Sequence, residues 1–447
     1  MTLTKSYWFT SGVYTLGTKF SVLVFGFGSF YFLIRNLPQE QFGIWALFLT
    51  ITTIIETSRN GLVQNALIKL LYSSSHEDQN KVVSASWLIN ISYSTLIYLI
   101  LCLVSGVLGR LFNSDELSEM FLWYGITLGI LVPFSQFNFI QQAKFSFSGM
   151  FWSTLIRQGS FFLAIIIFYV TEYEIPLTSL VLLQAACTLA GMIVAFFSAA
   201  KFMQFRFELD WIVIKKAFHF GKYVMGTNIS SLLFKSTDQL MIGSFLTSGS
   251  VALYNSAIRL SNLIEYPTTA IAEVVYPKSV AKFEEGGDLS SKLFFEKSVG
   301  LTMAITVPIV ILTFFLADYI ILFIAGPSYI DAAGILRITI LFGLFTPFFR
   351  QFGTAMDSSG RPHLNFTVLS CSVIINVICN FIGLSAIGLI GAAYGTLCTY
   401  LIINFVCYIV LVKIFNIEIM NIFKYMGDYY KIGFNTSKIL LKKFHGG

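Results

Sequence analysis

Long apolar runs, separated only by short polar breaks, constrain this chain more than any other feature. About twenty apolar residues cross the hydrocarbon of a bilayer. Roughly twelve such runs can be drawn, near residues 9–34, 43–70, 82–109, 117–142, 151–170, 177–200, 219–246, 251–277, 298–324, 332–356, 363–385 and 388–412. Lipid offers no water to backbone amides, so a spanning segment must be a helix or a strand of a closed barrel. The runs are about twice as long as a barrel strand and lack apolar/polar alternation. An all-α polytopic membrane protein is therefore expected. Composition agrees: 12% of residues are charged and the mean hydropathy is +0.75, whereas a soluble domain carries about 25% charge. Lys19 interrupts the first run and no small-residue cleavage site follows it, so the first segment is expected to stay as a membrane helix.

The second half echoes the first. Aligning residue i with residue i+209 from Gly12 to Glu56 gives ten identities, among them Gly12/Gly221, Tyr14/Tyr223, Gly17/Gly226, Thr18/Thr227, Ile55/Ile264 and Glu56/Glu265. Pro133-Phe134-Ser135-Gln136 and Pro347-Phe348-Phe349-Arg350 extend the echo. The expected organisation is an N-lobe of six helices (1–205), a linker (206–218), a C-lobe of six helices (219–413) and a basic amphipathic tail (414–447). Parallel repeats of this kind suit a carrier whose lobes rock about a shared midplane site. Prolines 133, 267, 308 and 347 fall inside runs, where each removes a backbone hydrogen bond and favours a bend.

Lys and Arg gather on one side of the expected topology, at Lys69, Lys81, Lys144, Lys201, Arg206, Lys215 and Lys216 among others, while Arg35 and Arg110 lie on the other. Positive charge marks the cytoplasmic side, so both termini are expected there. The net charge of +6 then orients the protein and touches anionic membrane lipids; it is not a nucleic-acid footprint. The linker sequence KFMQFRFELDWIVIKK alternates bulky apolar and charged residues and is expected along the membrane surface. All six cysteines lie in apolar runs without a CxxC pair, which gives neither a disulfide framework nor a metal site.

Charges inside the runs are costly, about 2.5–3.5 kcal/mol each on insertion scales, and mark function or a partner. Lys19 stands in the first run, and Glu56, Arg59 and Asn60 share a face of the second. Lys235 and Asp238 fall in the seventh, Arg259 and Glu265 in the eighth, and Arg350 in the tenth. The sharper reading makes these residues the lining of a cationic cavity between the lobes. Arginine binds phosphate through a bidentate fork, so an anionic, phosphate-bearing cargo is expected. In the plainer reading Glu56/Arg59 and Lys235/Asp238 are intrahelical i,i+3 ion pairs. His219 and His363 read as interfacial, and Asp115-Glu116 as a solvated turn. No P-loop, HExxH or GxSxG occurs, so the protein is expected not to be an enzyme.

Several segments resemble one family. Phe42-Gly43-Ile44-Trp45, the stretch Ser236–Gly243 followed by Val251–Ala257 and Pro277, and Gly391–Gly395 are similar to the signatures of the O-antigen and capsule polysaccharide flippases of the multidrug/oligosaccharidyl-lipid/polysaccharide (MOP) superfamily. The resemblance covers roughly residues 5–413 of this chain. It implies a V-shaped, MATE-like pair of six-helix lobes that flips undecaprenyl-pyrophosphate-linked oligosaccharide across the bacterial cytoplasmic membrane, with no cofactor. A polysaccharide polymerase or assembly complex is an implied partner. By comparison with the peptidoglycan lipid flippase it also implies essential arginines near Arg59 and Arg259. A sodium site would fall at Asp238, Asn376, Asn380 and Thr396, where Asn380 replaces an acid of that relative; Na+ or H+ would be the coupling ion. A multidrug/cation antiporter is the alternative within the superfamily, although its cavity should be acidic. A polysaccharide polymerase or ligase would carry a large outer loop, and a passive scaffold is a further alternative.

Overall fold

Apolar runs without water become helices, and the structure of the chain is helical throughout its regular segments. The structure is a computed structural model and describes residues 5–73, 78–172, 175–203 and 206–445. Its helices are α1 (Lys5–Asn36), α2 (Gln39–Ser73), α3 (Gln79–Leu111), α4 (Asp115–Ala143), α5 (Phe147–Val170), α6 (Leu177–Ala200), α7 (Trp211–Phe245), α8 (Ser248–Ser261), α9 (Glu265–Phe315), α10 (Ala317–Ile324), α11 (Ala332–Thr339), α12 (Phe342–Ser358), α13 (Pro362–Ile387), α14 (Leu389–Phe415) and α15 (Ile419–His445).

Among the described residues, nine helical spans are long and apolar enough to cross a membrane. They lie in α1, α3, α4, α5, α6, the Ser291–Phe315 half of α9, α11 with α12, α13 and α14. Two long helices, α2 and α7, fall below that threshold, and both carry charge within their apolar runs. Glu56, Arg59 and Lys69 sit in α2; Lys222, Lys235 and Asp238 sit in α7. Against the twelve expected, α2 and α7 fall short, and the run 251–277 is divided by the 3-10 turn between α8 and α9.

Helix breaks fall elsewhere than at the prolines. α4 and α12 run on through Pro133 and Pro347. Pro267 lies in the first turn of α9, where a missing N–H costs no ladder bond. The interruptions are a 3-10 turn at Asn262–Ile264, a turn at Leu316 and a turn at Ile340–Leu341. α9 is continuous over 51 residues, across the stretch 278–297 expected as a connecting loop. The expected surface linker is also divided: 206–210 is irregular and α7 begins at Trp211. Asp210 Oδ1 accepts from the amides of Ile212 (2.8 Å) and Val213 (3.4 Å) and so caps α7. α13 and α14 join through Gly388 alone, at φ 66°, a left-handed conformation that glycine adopts without Cβ strain.

The chain divides into two compact units. The first is Met1–Leu233 with Thr247–Ala252, and the second is Phe234–Leu246 with Leu253–Gly447.

In the first unit α4 is the central helix, packed against α2, α3 and α6, while α1 packs on α5. Its buried side chains include Leu117, Phe121, Tyr124 and Leu128. Between lipid-facing helices the association is driven by packing rather than by escape from water, because acyl chains are as apolar as Leu. Close approach is therefore informative: a Cβ on Gly221 of α7 would lie 1.9 Å from the Leu62 carbonyl of α2. Leu62, Leu67, Ala85, Ile140 and Ala217 share one core at this level.

In the second unit α13 pairs with α14, α9 with α12, and α15 with α9. Phe295, Val299, Phe352, Met356, Cys407 and Leu411 form the core, joined by Ile417 and Ile422 at the start of the tail. The tail is held by charge as well. Lys292 Nζ donates to Glu418 Oε1 at 2.6 Å, and the Glu418 amide donates to Glu296 Oε1 at 2.9 Å. The hydrogen bond from Lys292, and then its charge, hold the Glu418 carboxyl below the ordinary value of 4.5. A lowered carboxyl contributes stability that is present above the ordinary value and lost as pH falls through the lowered one. Amide protection in the first turns of α15 is accordingly expected to fall as pH drops below 4.5. The dependence should vanish in Lys292→Met; an unchanged pH profile in that variant would remove the pair from the docking of α15.

Candidate functional site

The charged residues singled out by sequence fall in both units, and each unit assembles its own set.

In the first unit, α2 presents Glu56, Arg59 and Asn60 within about one turn and a half. Arg59 is 1% exposed. Its Nη2 donates to Asn60 Oδ1 at 3.3 Å, while Nε and Nη1 have no hydrogen-bond partner among the described residues. Glu56 does not neutralise it directly. Its Oε1 accepts from the Tyr124 hydroxyl at 3.3 Å, and its Oε2 faces Arg157 Nη2 of α5 at 3.9 Å. Arg157 in turn lies over the Phe134 ring, 5.2 Å from the centroid. The cluster thus holds two guanidinium groups and one carboxylate, a net positive charge against buried Tyr124. The intrahelical Glu56/Arg59 pair of the plainer reading is replaced by one across helices. Arg157 escapes the sequence reading, although a lone arginine within the apolar run 151–170 was the available signal. Lys19 is exposed on α1.

Glu56 is the only carboxylate of this cluster among the described residues. Glu56→Ala is expected to destabilise the protein by about 2 kcal/mol, because two cations then share a site without compensation. Adding Arg157→Met should recover most of that loss in thermal unfolding. Strict additivity of the two changes would mean that the residues do not interact.

In the second unit, Lys235 of α7 pairs with Glu265 at 2.5 Å, across helices, rather than with Asp238. Asp238 is buried. It accepts from the Tyr254 hydroxyl of α8, and its Oδ1 accepts from the Gln239 amide at 2.9 Å. Asn255 Nδ2 donates to Gln239 Oε1 at 3.1 Å. Arg259 is half-buried in the last turn of α8. Arg350 is exposed on α12, and its Nη2 donates to Thr269 Oγ1 at 3.0 Å. Arg350 is therefore placed with α9, apart from the Asp238 network.

Asn376, Asn380 and Thr396 do come together. Asn376 Nδ2 donates to Thr396 Oγ1 (3.1 Å), Thr396 Oγ1 to Asn380 Oδ1 (3.2 Å), and Asn380 Nδ2 to Asn376 Oδ1 (3.1 Å). All three are buried. A sodium ion requires several oxygens turned towards one point. Here each oxygen of the closed ring already accepts a hydrogen bond from the next member, and none lacks a donor. As arranged, Asn376, Asn380 and Thr396 turn no spare oxygen to a bound sodium; the three form a satisfied polar core beside Asp238. Among the described residues no group of three or more His, Cys, Asp or Glu could hold a metal ion.

A multispanning all-helical membrane protein, with a buried arginine in one unit and a buried acid beside a polar ring in the other, is the class that fold and site define. The polysaccharide biosynthesis protein family model matches residues 32–334. The chain belongs to that family. Among curated relatives, it is 26% identical over 240 residues to "Uncharacterized membrane protein MJ1068" of Methanocaldococcus jannaschii, covering 53% of this chain and 47% of that protein. It is 20% identical over 374 residues to "Putative O-antigen transporter" of Shigella flexneri, covering 81% and 87%. The chain thus spans about half the length of the first of these relatives. Among solved structures it is similar to the lipid II flippase MurJ, inward closed conformation (TM-score 0.75, 16% identity, 93% of this chain and 90% of that one). It is also similar to an inward-facing multidrug resistance MATE family transporter of the MOP superfamily (TM-score 0.73, 16% identity, 88% and 95%). These likenesses establish a transporter fold of the MATE and MurJ type.

Proposed function

We propose that the protein is a flippase that carries a polyprenyl-pyrophosphate-linked oligosaccharide across the cytoplasmic membrane by alternating access, with both termini on the cytoplasmic side. The observation that carries this reading is Arg59: fully buried, with two guanidinium nitrogens unpartnered among the described residues. A buried guanidinium with spare donors is suited to an anion, and phosphate matches its fork. Family membership and a likeness to an O-antigen transporter support a lipid-linked sugar as the cargo. The pyrophosphate would engage Arg59 and Arg157 of the first unit while the polyprenyl tail stays in lipid, and Arg259 of the second unit is a separate requirement of the same transport. A polymerase or assembly complex downstream would consume the product. The ring at Asn376, Asn380 and Thr396 disfavours sodium as arranged, so a proton is the coupling ion of this reading; transport that needs a sodium gradient would overturn that clause.

The test is translocation of a labelled polyprenyl-pyrophosphate glycan in vesicles containing the full chain. Arg259→Ala is expected to lose transport while still being made and inserted. Wild-type transport by that variant would take Arg259 out of the mechanism. Efflux of a cationic drug, with no glycan movement, would replace the flippase by an antiporter.

A further inference from the structure

The first unit holds a second basic site that the reading above does not use. The end of α2 and the first three turns of α7 enclose a cavity of about 900 Å³. Lys69, Lys215, Lys216 and His219 line it, and none of its lining residues is acidic. Leu70 and Ile214 are buried in its wall. The lysines are not spent on acids: among the described residues none of the three forms an ion pair. Lys69 Nζ lies 4.4 Å from the centroid of Phe220, and Lys215 Nζ lies 6.0 Å from that of Trp211. Beside these amines Trp211, Ile212 and Phe218 are 66%, 77% and 50% exposed. Charge for a phosphate and apolar surface for acyl chains therefore stand next to each other.

We propose that this cavity binds the headgroup of an acidic phospholipid. Lys69, Lys215 and Lys216 would hold the phosphate, and Trp211, Ile212 and Phe218 would lie along its acyl chains. Aromatic residues settle at the headgroup level, and lysines beside them attract anionic lipid. The site is separate from the buried arginine cluster. Lys69 lies ten residues beyond Arg59 on the same helix, about 15 Å along the axis.

Trp211 supplies the readout. The full chain is reconstituted in phosphatidylcholine vesicles with a small fraction of brominated phosphatidylglycerol or brominated phosphatidylcholine. The quenching lost in Trp211→Phe isolates the signal of this residue. Brominated phosphatidylglycerol is expected to bind about tenfold more tightly than its neutral counterpart, less so at high salt. The triple change of Lys69, Lys215 and Lys216 to Gln should abolish the preference, and the triple change to Arg should keep it. Equal quenching by both lipids, or a preference that survives the triple Gln change, overturns the proposal. Displacement of the brominated lipid by millimolar inorganic phosphate would make this a soluble-anion site and overturn it too. Displacement by polyprenyl phosphate at a much lower mole fraction than phosphatidylglycerol would reassign the cavity to the carrier lipid and likewise overturn it. The readout is binding, so it stands or fails apart from glycan transport.

Discussion

Arg59→Met should raise the thermal stability of the protein and abolish glycan translocation. The two effects have one cause. Arg59 is 1% exposed, makes no ion pair among the described residues, and leaves Nε and Nη1 without partners. Each buried donor left unmade costs about 1–3 kcal/mol, and replacing a buried charge by a well-packed apolar side chain is often stabilising. Methionine fills a similar volume and adapts to irregular space. A gain of about 2 kcal/mol is the expected size, and it would be read by thermal unfolding in detergent. Transport should fall by about a hundredfold or more, because the spare donors are those an entering phosphate would take up. Arg59→Lys should restore little, since an ammonium lacks the fork. Lower stability in Arg59→Met would show that the guanidinium is already satisfied. Retained transport would remove it from the path of the cargo. Stability and activity moving in opposite directions is the signature of a site kept strained for function.

Gly391→Ala is expected to cost about 3 kcal/mol, although it adds a single methyl group. A Cβ at Gly391 would lie 1.9 Å from the Gly383 carbonyl oxygen, and one at Gly383 would lie 2.1 Å from that of Gly391. The obstacle is backbone, so no rotamer can yield. α13 and α14 must separate by about an ångström or more, and small residues let membrane helices approach in the first place. Separation would also break the ring beneath. Asn376 of α13 reaches Thr396 of α14 at 3.1 Å, and a Cβ at Gly395 would come within 2.5 Å of Asn380 Oδ1. In hydrocarbon the freed amides would find little else to bond. Thermal unfolding and the yield of monodisperse protein both test this. A variant within about 0.5 kcal/mol of wild type would show that the two helices are not held by this contact. Gly427, where an added Cβ meets nothing within 4 Å, is the control.

Much of the architecture is legible in the sequence, because hydropathy and helix length are properties of one segment at a time. The helices from α3 to α6, and α13 and α14, lie close to the runs drawn from composition. Charged stretches were harder. α2 and α7 carry the residues that matter most, and those same residues lower their hydropathy. The course of α9 also escapes local reading. The polar stretch 278–297 looks like a loop between spans, yet it continues a helix whose length lets it pack against both α12 and α15.

The sequence by itself determined that the chain lives in a membrane, that it is helical, and that its helices carry charges such as Arg59 and Asp238 inside apolar runs; the first two follow from the cost of polar groups in hydrocarbon. Only the tertiary structure decided which charge meets which. Glu56 could have paired along its own helix with Arg59 but turns to Arg157, and Lys235 passes over Asp238 for Glu265. Spacing along one helix says which side chains share a face. Which helix lies opposite that face depends on the packing of the whole unit, and that packing is what leaves Arg59 with donors to spare.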